Sequence, residues 1–366
     1  MLVNDLSPGG VQKRTYYMLK YLIKNGVDAY IISFLEPKDE SFVMEEIEKD
    51  KFVDRVFFIH RKSRSVPGFD FFTFRNVVDV SGLDFDGMKT VDKIINKLKP
   101  DFIYNEAFLQ ICLRLKRKFG IKYIYHVDDP PTFLRGRAFY SKYMYKKEKA
   151  LYREAEKIIL DSHYHENFIR KITSNYNIIY HGCIPAERIS DHKKYITIPK
   201  RHNRMTGIGL QDLAERYREI NFLMLGSFNP SSYERAFMDE IRLRNIENIE
   251  IKKNLTEDSM YNYLDQSIAH LGFYVETLGL YVFEGAGRGS IPVVPQGIGA
   301  QEVFIDNEEM LTYSPNDIGD LKRKIELIID DKTLRSTLSN RTWLKAKKFS
   351  WENFVINVKT IMEQLE

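Results

Sequence analysis

The chain has 366 residues and an ordinary globular composition, with 43% hydrophobic and 29% charged residues. Its length allows two domains of usual size, so a small fold stapled by disulfides or metal is excluded. The net charge of +4 is uneven, because residues 1–180 carry 31 Lys and Arg against 24 Asp and Glu. This excess predicts that the N-terminal half meets an anionic partner.

The cysteine pattern and the apolar runs indicate the cellular compartment in which the protein is expected. Cys112 and Cys183 lie far apart in the sequence and match no metal-ligand or redox spacing, which favours a reduced compartment and argues against structural zinc. No apolar run approaches the length of about 18 residues that a membrane-spanning helix needs. No basic segment precedes an apolar one near Met1. We therefore expect a cytoplasmic protein that is neither secreted nor membrane-spanning.

In chain order, short β-rich runs alternate with longer segments of helical period. In the first half, the predicted strands are 28–34, 55–60, 101–105, 122–127, 157–161 and 177–182. In the second half, they are 195–199, 221–227, 248–253, 268–274 and 291–295. Such alternation predicts α/β domains with a parallel sheet and helices on both faces. The stretch 181–194 has no clear period and is the predicted linker between two doubly wound, Rossmann-like domains.

Residues 276–294 carry the strongest chemical signal. The pattern predicts a turn that holds Glu276, then Gly279, then a short helix from Leu280 and a buried strand. A helix N-terminus at the ends of strands binds anions, because unpaired N–H groups and the helix dipole both point there. Glu284, one to two turns into this helix, could accept both hydroxyls of a nucleotide ribose. Glu276, on the other side of the anion, would face a sugar attached to it.

This segment resembles the retaining GT-B glycosyltransferases that use an E-x7-E motif, known as glycosyltransferase family 4. Seven residues separate Glu276 from Glu284, and Gly279 stands where that family has its glycine. The further matches, in the same order as in the family, are Pro292, Gly297, Gly299, Glu302 and Phe349-Ser350-Trp351-Glu352.

The N-terminal half carries more of this resemblance. The stretch Ser7–Gln12, with Gly9 and Gly10, opens the first helix as the family's Gly-rich loop does, and the backbone of that loop approaches the donor. His126 ends a predicted strand and resembles the family's strand-ending histidine, which contacts the transferred sugar. Residues 155–162 resemble the last strand before the family's linker.

The resemblance implies a GT-B fold, in which two Rossmann-like domains face a central cleft where the reaction takes place. The expected domains are 1–182 for the acceptor, 183–347 for the nucleotide sugar, and a C-terminal helix over 348–366 that packs back on the N-terminal domain. The implied reaction is retaining transfer of a sugar from a UDP- or GDP-linked donor to a glycan or lipid-linked acceptor. No metal ion, other cofactor or nucleic acid is expected.

One departure from the family concerns the donor diphosphate. The family places an Arg and, five residues on, a Lys and a Gly to neutralise it. Arg201 and Gly207 fit that spacing, but Thr206 occupies the Lys position. Arg204 is a candidate replacement, because its long guanidinium fork can reach phosphate from one turn away. Without this cation, the chain could be a non-catalytic descendant that binds a nucleotide sugar or a membrane. An epimerase that needs no acceptor is a further alternative.

Two other motifs have simpler interpretations. Gly285-x-Gly287-x-Gly289 resembles part of a dinucleotide fingerprint, but it follows a helical segment and precedes a strand, which argues against a nicotinamide site. Asp84-Phe85-Asp86 resembles the metal-binding Asp-x-Asp of other glycosyltransferases. The glycines beside it favour a turn.

Two segments mix basic and aromatic residues. Arg135–Lys157 could stack nucleic-acid bases, lie on an anionic membrane, or form a helix with an aromatic core face, and the core face is favoured. Arg61–Phe74 places phenylalanines beside cations, which suits a lipid interface. These segments predict peripheral association with the cytoplasmic membrane face.

Overall fold

The computed structural model describes residues 1–3, 6, 9–34, 41–59, 85–106, 111–127, 149–202, 209–228, 231–253 and 255–365, with only the backbone described at 85–86, 200–202, 227–228 and 231. The chain divides into two compact units. Unit 1 consists of Met1–Tyr180 and Trp351–Glu366, and unit 2 consists of His181–Ser350.

Unit 1 is built on a parallel sheet of seven short strands. They are β1 (Leu2–Val3), β2 (Ile31–Ser33), β3 (Val56–Phe58), β4 (Phe102–Asn105), β5 (Lys122–Val127), β6 (Lys157–Leu160) and β7 (Tyr176–Ile178). The strand order is β3-β2-β1-β4-β5-β6-β7, and every adjacent pair is parallel. The order reverses between β1 and β4, so the carboxyl ends of these two strands form a topological switch point, where such sheets bind ligands.

Helices connect the strands of unit 1. They are α1 (Gly10–Lys24), α2 (Phe42–Lys49), α3 (Phe85–Leu98), α4 (Ile111–Phe119) and α5 (His163–Ile169). Buried strand residues such as Ile103 and Tyr123 form the core together with buried helix residues such as Val91 and Leu115. Parallel strands buried between helices read as nearly continuous apolar runs, which explains why the sequence shows them clearly.

Unit 2 repeats this architecture with six strands. They are β8 (Tyr195–His202), β9 (Asn221–Phe228), β10 (Ile249–Lys252), β11 (Ser267–Leu271), β12 (Ile291–Pro295) and β13 (Leu311–Tyr313). The order is β10-β9-β8-β11-β12-β13, again with every adjacent pair parallel. The switch point of this sheet lies between β8 and β11. The predicted architecture of two parallel α/β sheets is confirmed.

The described residues of unit 2 form six α-helices: α6 (Leu210–Arg216), α7 (Ser231–Leu243), α8 (Glu257–Asp265), α9 (Leu280–Gly287), α10 (Ile318–Asp330) and α11 (Lys332–Ala346). Side chains cap several of them. The Asp317 carboxylate accepts from the Asp320 amide at the start of α10, and Asp331 accepts from the Leu334 amide at the start of α11, both at 2.9 Å. These caps satisfy amides that have no partner inside the helix.

The last helix, α12 (Trp351–Leu365), belongs to unit 1. Trp351 stacks on Tyr17 of α1 with ring centroids 5.0 Å apart, and Glu352 forms an ion pair with Lys24 at 2.8 Å. The Phe349-Ser350-Trp351-Glu352 motif therefore spans the boundary between the two units. No helix among the described residues combines the length and apolar character needed to cross a membrane.

The structure corrects two sequence expectations. Residues 181–194 are packed into unit 2 rather than forming a linker: the Cys183 amide donates to the Phe349 carbonyl at 2.9 Å, and the Ala186 amide donates to the Gly287 carbonyl at 2.8 Å. The turn expected at Asp84-Phe85-Asp86 is also wrong, because α3 already begins at Phe85. Asp84 itself lies outside the described residues.

Candidate active site

The E-x7-E segment lies at the switch point of unit 2. Strand β11 ends at Leu271, earlier than the predicted end at residue 274, and the loop 272–279 leads from it into α9. Because β8 and β11 are parallel neighbours, the loops that follow them leave from the same edge of the sheet. The N-terminus of α9 therefore points to the place where such sheets bind ligands.

Gly279 is required at the start of α9. Its φ of +86° lies in the left-handed region, and an added β-carbon would come within 3.0 Å of the Ile298 side chain. Gly279 is the N-cap and offers no side chain to bond the first amides of the helix. The amides of Leu280 and Tyr281, in the first turn, therefore receive no side-chain cap, and their binding of an anion stays a prediction.

A second loop supports the one that carries Glu276. The Gly299 amide donates to the Glu276 carbonyl at 3.1 Å, and a β-carbon on Gly299 would stand 1.7 Å from the Thr277 carbonyl oxygen. Only glycine allows this approach, which gives a physical reason for the glycine in the motif. The Glu276 side chain is exposed while its main chain is fixed.

Glu284 lies in the second turn of α9 and is 2% exposed. Its charge is one of the causes that raise the pKa of the buried Tyr261 hydroxyl, after burial itself and the neighbouring Glu257. A carboxylate at this depth is a strong acceptor for hydroxyl groups, because little water competes for it.

His270 is a residue of this site that sequence analysis did not single out. It is 2% exposed on β11, and its Nδ1 lies 2.8 Å from the Thr197 Oγ1 on β8, within hydrogen-bond distance. A β-carbon at Gly285 would stand 3.0 Å from the His270 ring, so α9 packs directly on this histidine. The sequence offers only a lone histidine in an apolar strand, which is no specific signal.

The glycines that resemble a dinucleotide fingerprint serve packing instead. Gly285 lies against His270, and a β-carbon at Gly287 would stand 2.9 Å from the Cys183 Sγ. Gly289 has a φ of +69° in the turn that leads to β12. These glycines occupy the C-terminal part of α9 and the turn after it, so they cannot cradle a pyrophosphate at a helix N-terminus.

Of the two predicted phosphate-binding arginines, Arg201 lies within β8 and Arg204 follows this strand in the sequence. Arg201 lies near the carboxyl end of this strand, where its backbone is paired with Ser227 of β9. This places Arg201 at the sheet edge where α9 begins. Residues 203–208, which include Arg204 and Thr206, lie outside the described residues, so the replacement of the usual lysine by Arg204 stays a prediction.

In unit 1, Gly9 and Gly10 stand at the start of α1, as predicted. Gly9 is the N-cap, with an extended backbone that other residues could also adopt, and its carbonyl accepts from the Lys13 amide at 3.0 Å. No side chain caps this end of the helix within the described part of the chain. Contact between this loop and a donor stays a prediction.

His126 has a different environment from the one expected. It ends β5 as predicted, but its side chain is fully buried. Its Nδ1 is hydrogen-bonded to the Tyr104 hydroxyl and its Nε2 to the Asp161 carboxylate, and its ring stacks on Phe354 of α12. Both ring nitrogens are thus engaged inside unit 1. Contact of His126 with the transferred sugar stays a prediction.

A buried ion pair extends the His126 network. Arg14 of α1 donates from Nε and Nη2 to the Glu106 Oε2 at 2.8 and 2.5 Å, and its Nη1 lies 3.7 Å from the Asp161 Oδ1. Arg14 is 1% exposed and Glu106 is fully buried. Since Glu106 directly follows β4, the pair fixes α1 at the switch point of unit 1. Sequence analysis missed it, because its members are far apart in the chain.

Two family models match the chain. The model described as Glycosyltransferase Family 4 matches residues 8–187, and the model described as glycosyl transferase-like matches residues 207–355. The chain belongs to the GT-B glycosyltransferases of the family 4/group 1 type. The family resemblance of the E-x7-E segment is confirmed.

Known proteins of similar sequence and fold agree with this assignment. An uncharacterised glycosyltransferase of Methanocaldococcus jannaschii is 25% identical over 288 residues, which are 72% of this chain and 76% of that protein. Sucrose-phosphate synthase from Thermosynechococcus elongatus has a TM-score of 0.76 at 16% identity, covering 99% of this chain and 95% of that one. Anabaena HepE, solved with UDP-glucose, has a TM-score of 0.75 at 13% identity, covering 99% and 98%.

The basic-aromatic segments of this glycosyltransferase are only partly described. Arg61–Phe74 lies outside the described residues, as does most of Arg135–Lys157. Within the described end of the second segment, Tyr152 is 1% exposed and packs edge-on against Tyr125 at 5.3 Å between centroids. At this position, therefore, the aromatic residue belongs to the core.

Proposed function

We propose that this glycosyltransferase moves a sugar from a UDP- or GDP-linked donor to a glycan or lipid-linked acceptor, with retention of the anomeric configuration. The observation that carries the proposal is the arrangement around the start of α9, where Glu276 precedes the bare helix N-terminus and Glu284 follows it. This arrangement matches the three parts of a nucleotide sugar: sugar, diphosphate and ribose.

The donor diphosphate fits at the N-terminus of α9. Gly279 keeps that end without a β-carbon, and the amides of Leu280 and Tyr281 are oriented for phosphate oxygens. The buried carboxylate of Glu284 would accept the ribose hydroxyls, and Glu276 would orient the sugar. The complex of HepE with UDP-glucose, in a protein of the same fold, supports this kind of donor.

Two cations and the dipole of α9 are proposed to neutralise the charge on the leaving diphosphate. Arg201, near the end of β8, and Arg204, three residues further along the sequence, would neutralise the phosphates together with the α9 dipole. As the diphosphate departs, one of its oxygens can take the proton of the acceptor hydroxyl, which then attacks the same face of the sugar. This route needs no carboxylate nucleophile and keeps the anomeric configuration.

Unit 1 is proposed to bind the acceptor at the cytoplasmic membrane face. The support is the basic excess of residues 1–180 and the phenylalanines beside cations in 61–74. Each Lys or Arg near an anionic surface contributes about 1 kcal/mol, so a patch of them would bind reversibly and release in salt. Flotation with anionic and neutral vesicles at low and high salt tests this. Equal, negligible binding to both would leave a soluble acceptor.

The donor is tested by ligand-induced thermal stabilisation, with UDP, GDP and ADP compared with and without attached sugars. A nucleotide at 100 times its dissociation constant stabilises the protein by about 2.7 kcal/mol. The stabilising nucleotide sugar is then incubated with the enzyme and acceptor candidates, and the product linkage is read by NMR. Retention of the anomeric configuration is expected. Stabilisation by no nucleotide would contradict the proposal, and a change in the donor sugar without an acceptor would identify an epimerase.

A further inference from the structure

Residues 297–299, which follow β12, contact the loop that carries Glu276 at two points. The Gly299 amide donates to the Glu276 carbonyl at 3.1 Å. The Ile298 side chain is 2% exposed, and a β-carbon on Gly279, the N-cap of α9, would stand 3.0 Å from it. The segment 297–299 therefore supports both the main chain of Glu276 and the start of α9.

Gln301 closes this supporting segment with two hydrogen bonds. It lies in the short 3-10 turn Gly299–Glu302. Its side-chain Oε1 accepts from the Gly297 amide at 2.6 Å, and its own amide donates to the Ile298 carbonyl at 3.1 Å. The chain turns at Gly297, whose φ of +89° lies in the left-handed region. The side-chain bond of Gln301 thus fixes the turn from which the segment starts.

The segment depends on this bond because two of its three residues are glycines. Gly297 and Gly299 have no side chain that could anchor them in the core, and glycine loses more conformational freedom on ordering than any other residue. Only glycine fits at position 299, where a β-carbon would stand 1.7 Å from the Thr277 carbonyl oxygen. A hydrogen bond from Gln301 offsets part of the ordering cost without occupying that space.

The Gln301 side chain can be changed without disturbing the core. Gln301 is exposed, whereas Ala300 before it is fully buried. The Ile298 side chain would keep its place by packing, so loss of the Gln301 bond should act on the two glycines. Of these, Gly299 is the one that holds the Glu276 main chain.

We propose that Gln301 is a positioning residue for Glu276. Its side chain holds the turn at Gly297, and this turn keeps the Gly299 amide on the Glu276 carbonyl. The main chain from which the Glu276 carboxylate extends is thereby fixed before the donor binds. The inference rests on the proposed function, because it requires that Glu276 orients the sugar of the donor.

The test is Gln301→Leu, which removes the acceptor oxygen and keeps a side chain of similar size. With the best nucleotide sugar of the screen, kcat should fall about fivefold or more, because the sugar is less well oriented. The affinity for the nucleotide alone should stay within about twofold. All variants are assayed below their melting temperatures.

Gln266→Leu is the matched control. It makes the same substitution in the same unit and also removes a side-chain bond to the main chain, from Gln266 Nε2 to the Asn262 carbonyl at 3.1 Å. Gln266 directly precedes β11, at the opposite end of this strand from the loop with Glu276. We expect kcat of Gln266→Leu to equal that of the wild type.

A double-mutant cycle separates positioning of Glu276 from a general structural effect. In a Glu276→Ala background, Gln301→Leu should cause no further loss of kcat, because the carboxylate that it positions is gone. A wild-type kcat in Gln301→Leu, an equal loss in Gln266→Leu, or an undiminished loss in the Glu276→Ala background overturns the inference while the proposed function stands. A wild type that neither binds nor turns over any nucleotide sugar overturns both.

Discussion

Gly285 packs directly against the His270 side chain, so closely that a methyl group at this position would force the histidine to shift. A β-carbon at this position would lie 3.0 Å from three atoms of the His270 side chain. The histidine is held on its other side by Thr197. The contact seats α9 on β11, and thereby places the N-terminus of α9 and Glu284 relative to the sheet.

The first prediction is that Gly285→Ala destabilises unit 2. Alanine favours helix by about 1 kcal/mol over glycine, but overpacking a filled core costs about 1–3 kcal/mol, and here the clash should dominate. Chemical denaturation measures the change. Gly319→Ala, at an exposed position in α10, is the control and should be as stable as the wild type or up to about 1 kcal/mol more stable. If both variants are equally stable, α9 is not tightly seated on His270.

The second prediction concerns the buried pair Arg14–Glu106. Arg14→Met should destabilise the protein by about 3–5 kcal/mol, because it leaves a buried carboxylate without its guanidinium. Combining it with Glu106→Gln should recover part of that loss. The exposed pair Lys24–Glu352 is the control, and Lys24→Met should leave the free energy of unfolding almost unchanged. If the loss of unfolding free energy in the double variant equals the sum of the losses in Arg14→Met and Glu106→Gln, the two side chains do not stabilise each other as a pair.

The fold was largely readable from the sequence, because strands buried on both faces appear as apolar runs. The run IPVVP predicts β12 at its observed bounds, Ile291–Pro295. Two strands are absent from the prediction: β1 has only two residues and β13 only three, too few to show a period. The length of β8, which reaches His202, was also missed, since Lys200 and Arg201 look like the start of a loop.

The part of the candidate site that is contiguous in the sequence could be predicted. Glu276, Gly279 and Glu284 form one continuous motif, with Gly279 at the N-cap of α9 and Glu284 within this helix. Their roles toward a donor stay predictions. His126 shows the limit of such reading. Its neighbours in space, Asp161 above all, come from other strands, and only tertiary structure reveals that both ring nitrogens are already bonded.

The third prediction is that Arg201→Ala and Arg204→Ala each lower kcat by at least about tenfold, because each cation should supply 1.4 kcal/mol or more of charge stabilisation. Steady-state kinetics with the identified donor measures this. Arg323→Ala, on the exposed face of α10, is the control. If Arg204→Ala has the kcat of the wild type, Arg204 does not take the role of the family's lysine, whose position Thr206 occupies.

The fourth prediction is that EDTA leaves the activity intact, since the diphosphate charge is assigned to arginines and a helix end rather than to a bridging cation. The enzyme is dialysed against chelator and assayed with and without added Mn²⁺. Loss of activity on chelation and its return with Mn²⁺ would direct attention back to Asp84-Phe85-Asp86.

The last prediction addresses the donor site itself. Glu284→Ala should weaken nucleotide binding, because it removes the buried carboxylate that we propose as the acceptor for the ribose hydroxyls. A hydrogen bond to a charged group is worth about 1.5–3 kcal/mol, so we expect roughly a 10- to 100-fold higher dissociation constant for each bond lost. Glu308→Ala, at an exposed position of the same unit, should bind as the wild type does.

Isothermal titration of UDP or GDP into the wild type, Glu284→Ala and Glu308→Ala is the most direct test of the central claim, that the donor nucleotide binds at the start of α9. We expect that only Glu284→Ala loses affinity, while its melting temperature without ligand shows that it is folded under the conditions of the titration. Equal nucleotide affinity of folded Glu284→Ala and wild type would contradict it.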